Sequence, residues 1–178
     1  MFKVLKDGCT PVRGSKYSAC VDLFSSEDVV IGAGKTKVIG LGVAIDLDNF
    51  RKEVFKSLDS AVSYFPIEKQ DSIFNRYLSS HYLQVALRSS LGKDGLIMPN
   101  GVGIIDMDYR DEIKIIIHNP LAQPWTDIEG NITIGKYFKI SKGDRIAQIT
   151  LLEHKSYLFG IESDVIRDGG LGSTNTAS

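Results

Sequence analysis

Two cysteines, Cys9 and Cys20, in 178 residues are too few for a disulfide framework, and they fit no metal-ligand spacing. Histidine is scarce as well. His81, His118 and His154 lie far apart, and none has a nucleophile or an acid at triad-like spacing. His118 therefore reads as an ordinary residue at the edge of the core. The charges nearly cancel, 21 basic against 22 acidic residues for a formal net charge of -1. That excludes a nucleic-acid binder working by bulk electrostatics but allows a local basic pocket for a phosphorylated small molecule. No apolar run approaches membrane-spanning length, and the N-terminal MFKVLKDG lacks the apolar core of a secretory leader. The expected compartment is the cytoplasm. A GxGxxG running from strand to helix and a P-loop are both missing, so the common nucleotide folds are unsupported.

What the chain does have is many short apolar runs, rich in Val and Ile and separated by Gly, Asp, Asn or Ser. This is the pattern of an all-β sandwich or barrel, and the length suits one domain, residues 1–178. Strands are predicted near Phe2–Lys6, Ala19–Phe24, Asp28–Ile31, Lys35–Ile45, Tyr82–Leu87 and Leu96–Met98. Others fall near Val102–Ile105, Glu112–His118, Asn131–Ile134, Tyr137–Ile140 and Arg145–Glu153.

One block breaks the rhythm. Between Phe50 and His81, Phe55, Leu58 and Val62 recur at helical spacing, as do Ile73, Phe74, Tyr77 and Leu78. Pro66 can begin a second helix but not sit inside one. A helical hairpin inserted over residues 51–80 is expected, either as a cap on the barrel or as a lid or partner-binding element. The stretch from Pro120 to Tyr137 promises a β-excursion in which Trp125 packs rather than carries a ligand. The tail, residues 168–178, is small, polar and glycine-rich. It suits a frayed end or a flap whose amides and hydroxyls close over phosphate oxygens.

Chemistry concentrates in five segments. NGVGIIDMDYRDEIKIII, from Asn100 to Ile117, reads as a β-hairpin whose bend offers Asp106 and Tyr109, an acid and a ring beside a planar ligand. SACVDLFS places Asp22 after a strand of small residues, and LRSSLGKDG sets Arg88 beside Ser89 and Ser90. KGDRIAQI runs from Lys142 to Ile149, and IRDGGLGSTN closes the chain. Arginine with hydroxyls and backbone amides at a turn is phosphate-binding chemistry.

In order and spacing these segments, spanning Ser18 to Asn175, resemble the trimeric all-β dUTP pyrophosphatases (dUTPases), with phage-type members among them. The resemblance implies a β-barrel or jelly-roll, magnesium as cofactor, and hydrolysis of dUTP to dUMP and pyrophosphate in active sites shared around a homotrimer. By the same resemblance Asp106 activates the water that attacks the α-phosphorus, and Tyr109 packs under the deoxyribose. Asn100 and the backbone from Gly101 to Ile105, including Gly103, read uracil. Arg88, Ser89, Ser90 and Gln148 hold phosphates, and Asp22 touches the magnesium shell through water. Arg167, Leu171, Ser173 and Thr174 belong to the C-terminal flap. Two positions depart from the family pattern. Leu171 stands near the usual flap Phe, forgoing about 0.5–1.5 kcal/mol of stacking, and Asp111 stands where Gly is usual.

Two rival readings accompany this one. Deoxycytidine triphosphate deaminases share the fold and two of the segments, but a catalytic Glu is required on the strand after the hairpin, where this chain has Ile116 between Ile115 and Ile117. A dUTPase-fold regulatory protein would grip a repressor or another protein partner through residues 51–80.

Overall fold

The computed structural model describes residues 1–58, 64–121, 125–126, 132–133, 135–161 and 163. The chain begins with β1 (Phe2–Val4), β2 (Val12–Arg13), β3 (Val21–Phe24), β4 (Val29–Ile31), β5 (Thr36–Gly40) and β6 (Val43–Ile45). Helices α1 (Leu47–Ser57) and α2 (Ile67–Leu78) lead into β7 (His81–Leu87), followed by the short helix α3 (Ser89–Lys93). Then come β8 (Gly103–Asp106), β9 (Lys114–His118), β10 (Trp125–Thr126), β11 (Ile132–Thr133), β12 (Phe138–Ile140) and β13 (Arg145–Glu153). A 3₁₀ turn covers Ser156–Phe159. Among the described residues no helix is long and apolar enough to cross a membrane.

The largest sheet has the order β2-β3-β13-β7-β8, every pair antiparallel. Strand pairs β1–β6, β4–β12, β5–β9 and β10–β11 complete the pairing. Period-two alternation explains the core. In β7, Leu83 and Val85 are buried between half-buried Tyr82, Gln84 and Ala86, and Ile113, Ile115 and Ile117 repeat the pattern through β9. Each such side chain, once buried, contributes about 1.5–3 kcal/mol. The long β13 slips register between Arg145 and Ala147, and both Ile146 and Ala147 are buried there. Strict alternation would bury only one of two neighbours, so the bulge resolves the conflict.

The structure corrects three expectations. The single strand Lys35–Ile45 is two, β5 and β6, because the chain bends at Gly42, whose φ is +64°. Leu96–Met98 forms only an isolated bridge, Ile97 to His118. The stretch from Asn100 to Ile117 is not a hairpin, since β8 pairs with β7 and β9 with β5. The connection between β8 and β9 buries Met107, Tyr109 and Ile113, so it carries the chain between two sheets instead of turning back on itself.

The insertion is helical as expected, but it begins earlier. Asp46 caps α1, its carboxylate accepting the Asn49 amide at 3.0 Å, and that bond holds the carboxyl below its ordinary value. Pro66 is the N-cap of α2. Phe50, Val54 and Phe74 are buried, with Phe50 against Phe74 at 6.0 Å and against Tyr77 at 5.7 Å between ring centroids. Arg51 bonds Asp71 at 2.6 Å and lies over the rings of Phe55 and Phe74. The helices are therefore core structure. Leu58 is exposed at the end of α1, and Val62 lies outside the described residues.

A carboxylate strut anchors the β8–β9 connection. Glu112 accepts the Gly42 amide at 2.8 Å, with Lys6 at 3.8 Å. A methyl group at Gly40 would meet the Glu112 carboxyl carbon and the Ser26 hydroxyl, each at 2.8 Å. Gly40→Ala is therefore expected to destabilise the protein by about 1–3 kcal/mol through overpacking. Urea unfolding followed by circular dichroism measures it, and an unchanged midpoint would refute the strut.

Candidate active site

The structure gathers the expected phosphate-side residues at one end of β7 and β13. Asp22 on β3 is in register with Gln148 on β13, which in turn is in register with Ala86 on β7. Arg88 follows β7 and serves as the N-cap of α3, its amide donating to the Ile146 carbonyl at 3.1 Å. Its guanidinium Nε lies 3.3 Å from Asp22 Oδ1, and Arg145 Nη1 lies 3.4 Å from Asp22 Oδ2. One carboxylate and two guanidiniums leave an excess positive charge in a chain whose overall balance is negative. The cavity beside them, about 330 Å³, is lined by Gly14, Ser18, Ala19, Asp22, Arg88 and Gln148, with Cys20. Ser89 and Ser90 are exposed on the first turn of α3, where backbone amides lie beyond the helix's own hydrogen bonding. Arg145 was not among the candidates read from sequence. Its place in the segment KGDRIAQI was the available signal.

The expected base-reading and acid residues sit on β8 and its flanks. Asn100 is exposed in the turn before β8; its carbonyl accepts the Val102 amide at 2.8 Å, and Gly101 has φ +71°. Gly103 pairs with Val85 so closely that a Cβ would stand 3.4 Å from the valine's own. Ile105 packs against the core, and Asp106, the last residue of β8, is exposed opposite Tyr82. Tyr109 is only 7% exposed; its amide donates to the Asp106 carbonyl at 3.0 Å and its hydroxyl to the Glu112 carbonyl at 3.2 Å. The ring is thus fixed from both ends, with its backbone tied to the acid.

A second cavity, about 320 Å³, opens at Asp106. Asn75, Leu78 and Ser79, from the end of α2, face Asp106, Asp108 and Arg110 across it, with His81 and His154 at its edge. Nothing in the sequence indicated that the insertion ends beside the acid.

The two halves do not meet within one chain. Asp106 is opposite Tyr82, and Arg88 lies six residues further on, just past the end of β7, roughly 20 Å at strand rise. Arg167, Leu171, Ser173 and Thr174 lie outside the described residues, as does the rest of residues 164–178.

The residues fit magnesium held mainly by phosphate oxygens and water. Asp22 is already shared by two guanidiniums, which suits contact through a water better than direct ligation. Among the described residues no group of three or more His, Cys, Asp or Glu side chains could hold a metal ion.

A family model described as dUTPase matches residues 76–175. The deoxyuridine 5'-triphosphate nucleotidohydrolase of Debaryomyces hansenii is 31% identical over 98% of this chain and 85% of its own. That of Paramecium bursaria Chlorella virus 1 is 28% identical over 97% of this chain and 94% of its own. The solved dUTPase from phage phi11 of S. aureus superposes with a TM-score of 0.56, covering 97% of each chain at 19% identity, which establishes a shared, mostly β fold. With the family model covering more than half of its residues, the chain belongs to the dUTPase family.

Proposed function

We propose that this dUTPase hydrolyses dUTP to dUMP and pyrophosphate in sites completed between copies of the chain, arranged as a homotrimer on a jelly-roll barrel. The observation that carries the shared site is the separation of Asp106 from Arg88 along β7. A base and the cations it serves must flank the same phosphorus, and a second copy brings them together.

In this reading Asp106 accepts a proton from water as the water oxygen bonds to the α-phosphorus. The bond to the bridging oxygen breaks, and pyrophosphate leaves. Arg88 and Arg145 meet the charge that accumulates on the phosphate oxygens, with Ser89, Ser90 and Gln148 as neutral donors. The flap residues Arg167, Leu171, Ser173 and Thr174 close the site. Magnesium, when bound, supplies further neutralisation of the triphosphate, and Asp22 would hold its water shell. The uracil reader is the Asn100–Ile105 backbone. Backbone donors and acceptors cannot change identity, so a cytosine edge leaves them unpaired. Tyr109, held rigid by its buried ring and its bond to Glu112, forms the platform under the sugar.

Deamination has no support. Ile116 lies on β9 opposite Val38, and its neighbours Ile115 and Ile117 are buried. No carboxylate is there to activate water at a pyrimidine C4. No observation favours a protein partner on residues 51–80 over the structural role of Phe50, Val54 and Phe74. Incubation with dUTP is expected to release pyrophosphate, and incubation with dCTP to release no ammonia. Ammonia from dCTP would overturn the assignment.

A further inference from the structure

The helical insertion ends where Asp106 is held. β8 is an edge strand of four residues, and Asp106, at its end, has Tyr82 of β7 as its cross-strand neighbour. The residue before Tyr82 is His81, the first of β7, and it is at once the last bond of the helix. Its Nδ1 lies 2.9 Å from the Tyr77 carbonyl and 3.0 Å from the Ser80 hydroxyl, joining a carbonyl that also accepts from the Ser80 amide and hydroxyl, each at 3.2 Å. Its ring lies flat on Tyr77, with centroids 3.8 Å apart and planes 4° from parallel. The next strand is tied in too: the His154 amide donates to the Ser80 carbonyl at 2.7 Å, and the His154 ring tilts against Tyr82. Four rings thus lock the exit of α2 to the strand behind Asp106, while Asn75 and Ser79 line the cavity onto which the acid opens.

We propose that the last turn of α2, acting through the Tyr77–His81 stack, is a positioning element for Asp106, so that the insertion serves the reaction directly. The proposal rests on Asp106 being the base. The physical reason is short-range: directly opposed residues in an antiparallel pair sit about 4.5–5.5 Å apart, so rotation or slip at His81–Tyr82 displaces Asp106 with nothing between to absorb it. Misplacement of a catalytic group by about 1 Å can cost 10²-fold.

The test is steady-state kinetics on dUTP with the full-length, magnesium-loaded enzyme. His81→Ala and Tyr77→Ala should each lower kcat by about 10- to 100-fold while KM stays near the wild-type value. Tyr77→Phe, which keeps the stack, should restore kcat. His81→Asn keeps a donor for the Tyr77 carbonyl without the ring; it should remain folded and still lose kcat. The proposal is overturned if His81→Ala or His81→Asn is folded with wild-type kcat. It is equally overturned if Tyr77→Phe is as impaired as Tyr77→Ala, or if the losses appear only in KM. Asp106→Asn, run alongside, tests the base itself: if it turns over normally the base assignment fails, whatever the stack variants do.

Discussion

Asp106→Asn is expected to reduce kcat on dUTP by about 10²- to 10⁴-fold, the span that a positioned general base supplies, and to leave nucleotide binding intact. Asn preserves the size of the side chain and a carbonyl oxygen that accepts a hydrogen bond, but it cannot take up the proton that leaves the attacking water. Asp106 is exposed at the end of an edge strand, so the substitution removes no core packing, and the Tyr109 amide keeps its bond to the backbone carbonyl of residue 106. Tyr109, the proposed platform under the sugar, and the Asn100–Ile105 backbone should stay as they are. Rapid-quench turnover and calorimetric titration with a non-hydrolysable dUTP analogue separate the two quantities. Wild-type turnover would remove Asp106 from the mechanism; lost binding with residual kcat would make it a substrate ligand instead.

The candidate residues of this site could be picked out in the sequence because each segment carries its groups locally. Arg88 beside Ser89 and Ser90, and the acid three residues before Tyr109, need no tertiary information to be seen. The short Val- and Ile-rich runs likewise gave the bounds of β13 and most of β7. Pairing was not legible. The stretch around Asp106 looks like a hairpin because two apolar runs flank a polar bend, yet the partners of β8 and β9 are β7 and β5, far apart in the chain. The burial of Met107 and Tyr109 that distinguishes a crossing from a turn depends on what packs over them. β2 was missed since a two-residue strand has no periodicity to detect. The first helix was placed too late because its start is marked by the Asp46 cap, while the apolar spacing used to find it begins further on. Arg145 and the end of α2 were not singled out for a common reason: each is placed beside the candidate site by a neighbour that only the fold supplies.

Mixing two impaired variants should restore activity, and this gives the sharpest reading of the separation along β7. Arg88→Ala removes a proposed charge-assisted phosphate ligand, a loss of about 1.5–3 kcal/mol for each such bond, and Asp22 keeps Arg145 as its partner. Asp106→Asn lacks the proposed base. If every site were built within one chain, no assembly of the two variants could contain a complete one. If Asp106 reaches its substrate from one copy and Arg88 from another, mixed assemblies include sites that draw both intact residues from different chains. Random assembly at equal amounts makes roughly one site in four complete in a cyclic oligomer. Co-expression with two affinity tags, followed by sequential purification of mixed oligomers, isolates the relevant species. Their turnover should exceed that of the Asp106→Asn parent by more than tenfold and that of the Arg88→Ala parent by about threefold or more. Mixed oligomers no more active than the parents would place the whole site in a single chain. The connection that buries Tyr109, or the strand that carries Arg88, would then have to move by most of the length of β7 before the reaction could occur. The buried Ile113, Ile115 and Ile117 that follow the connection in the core oppose such a movement.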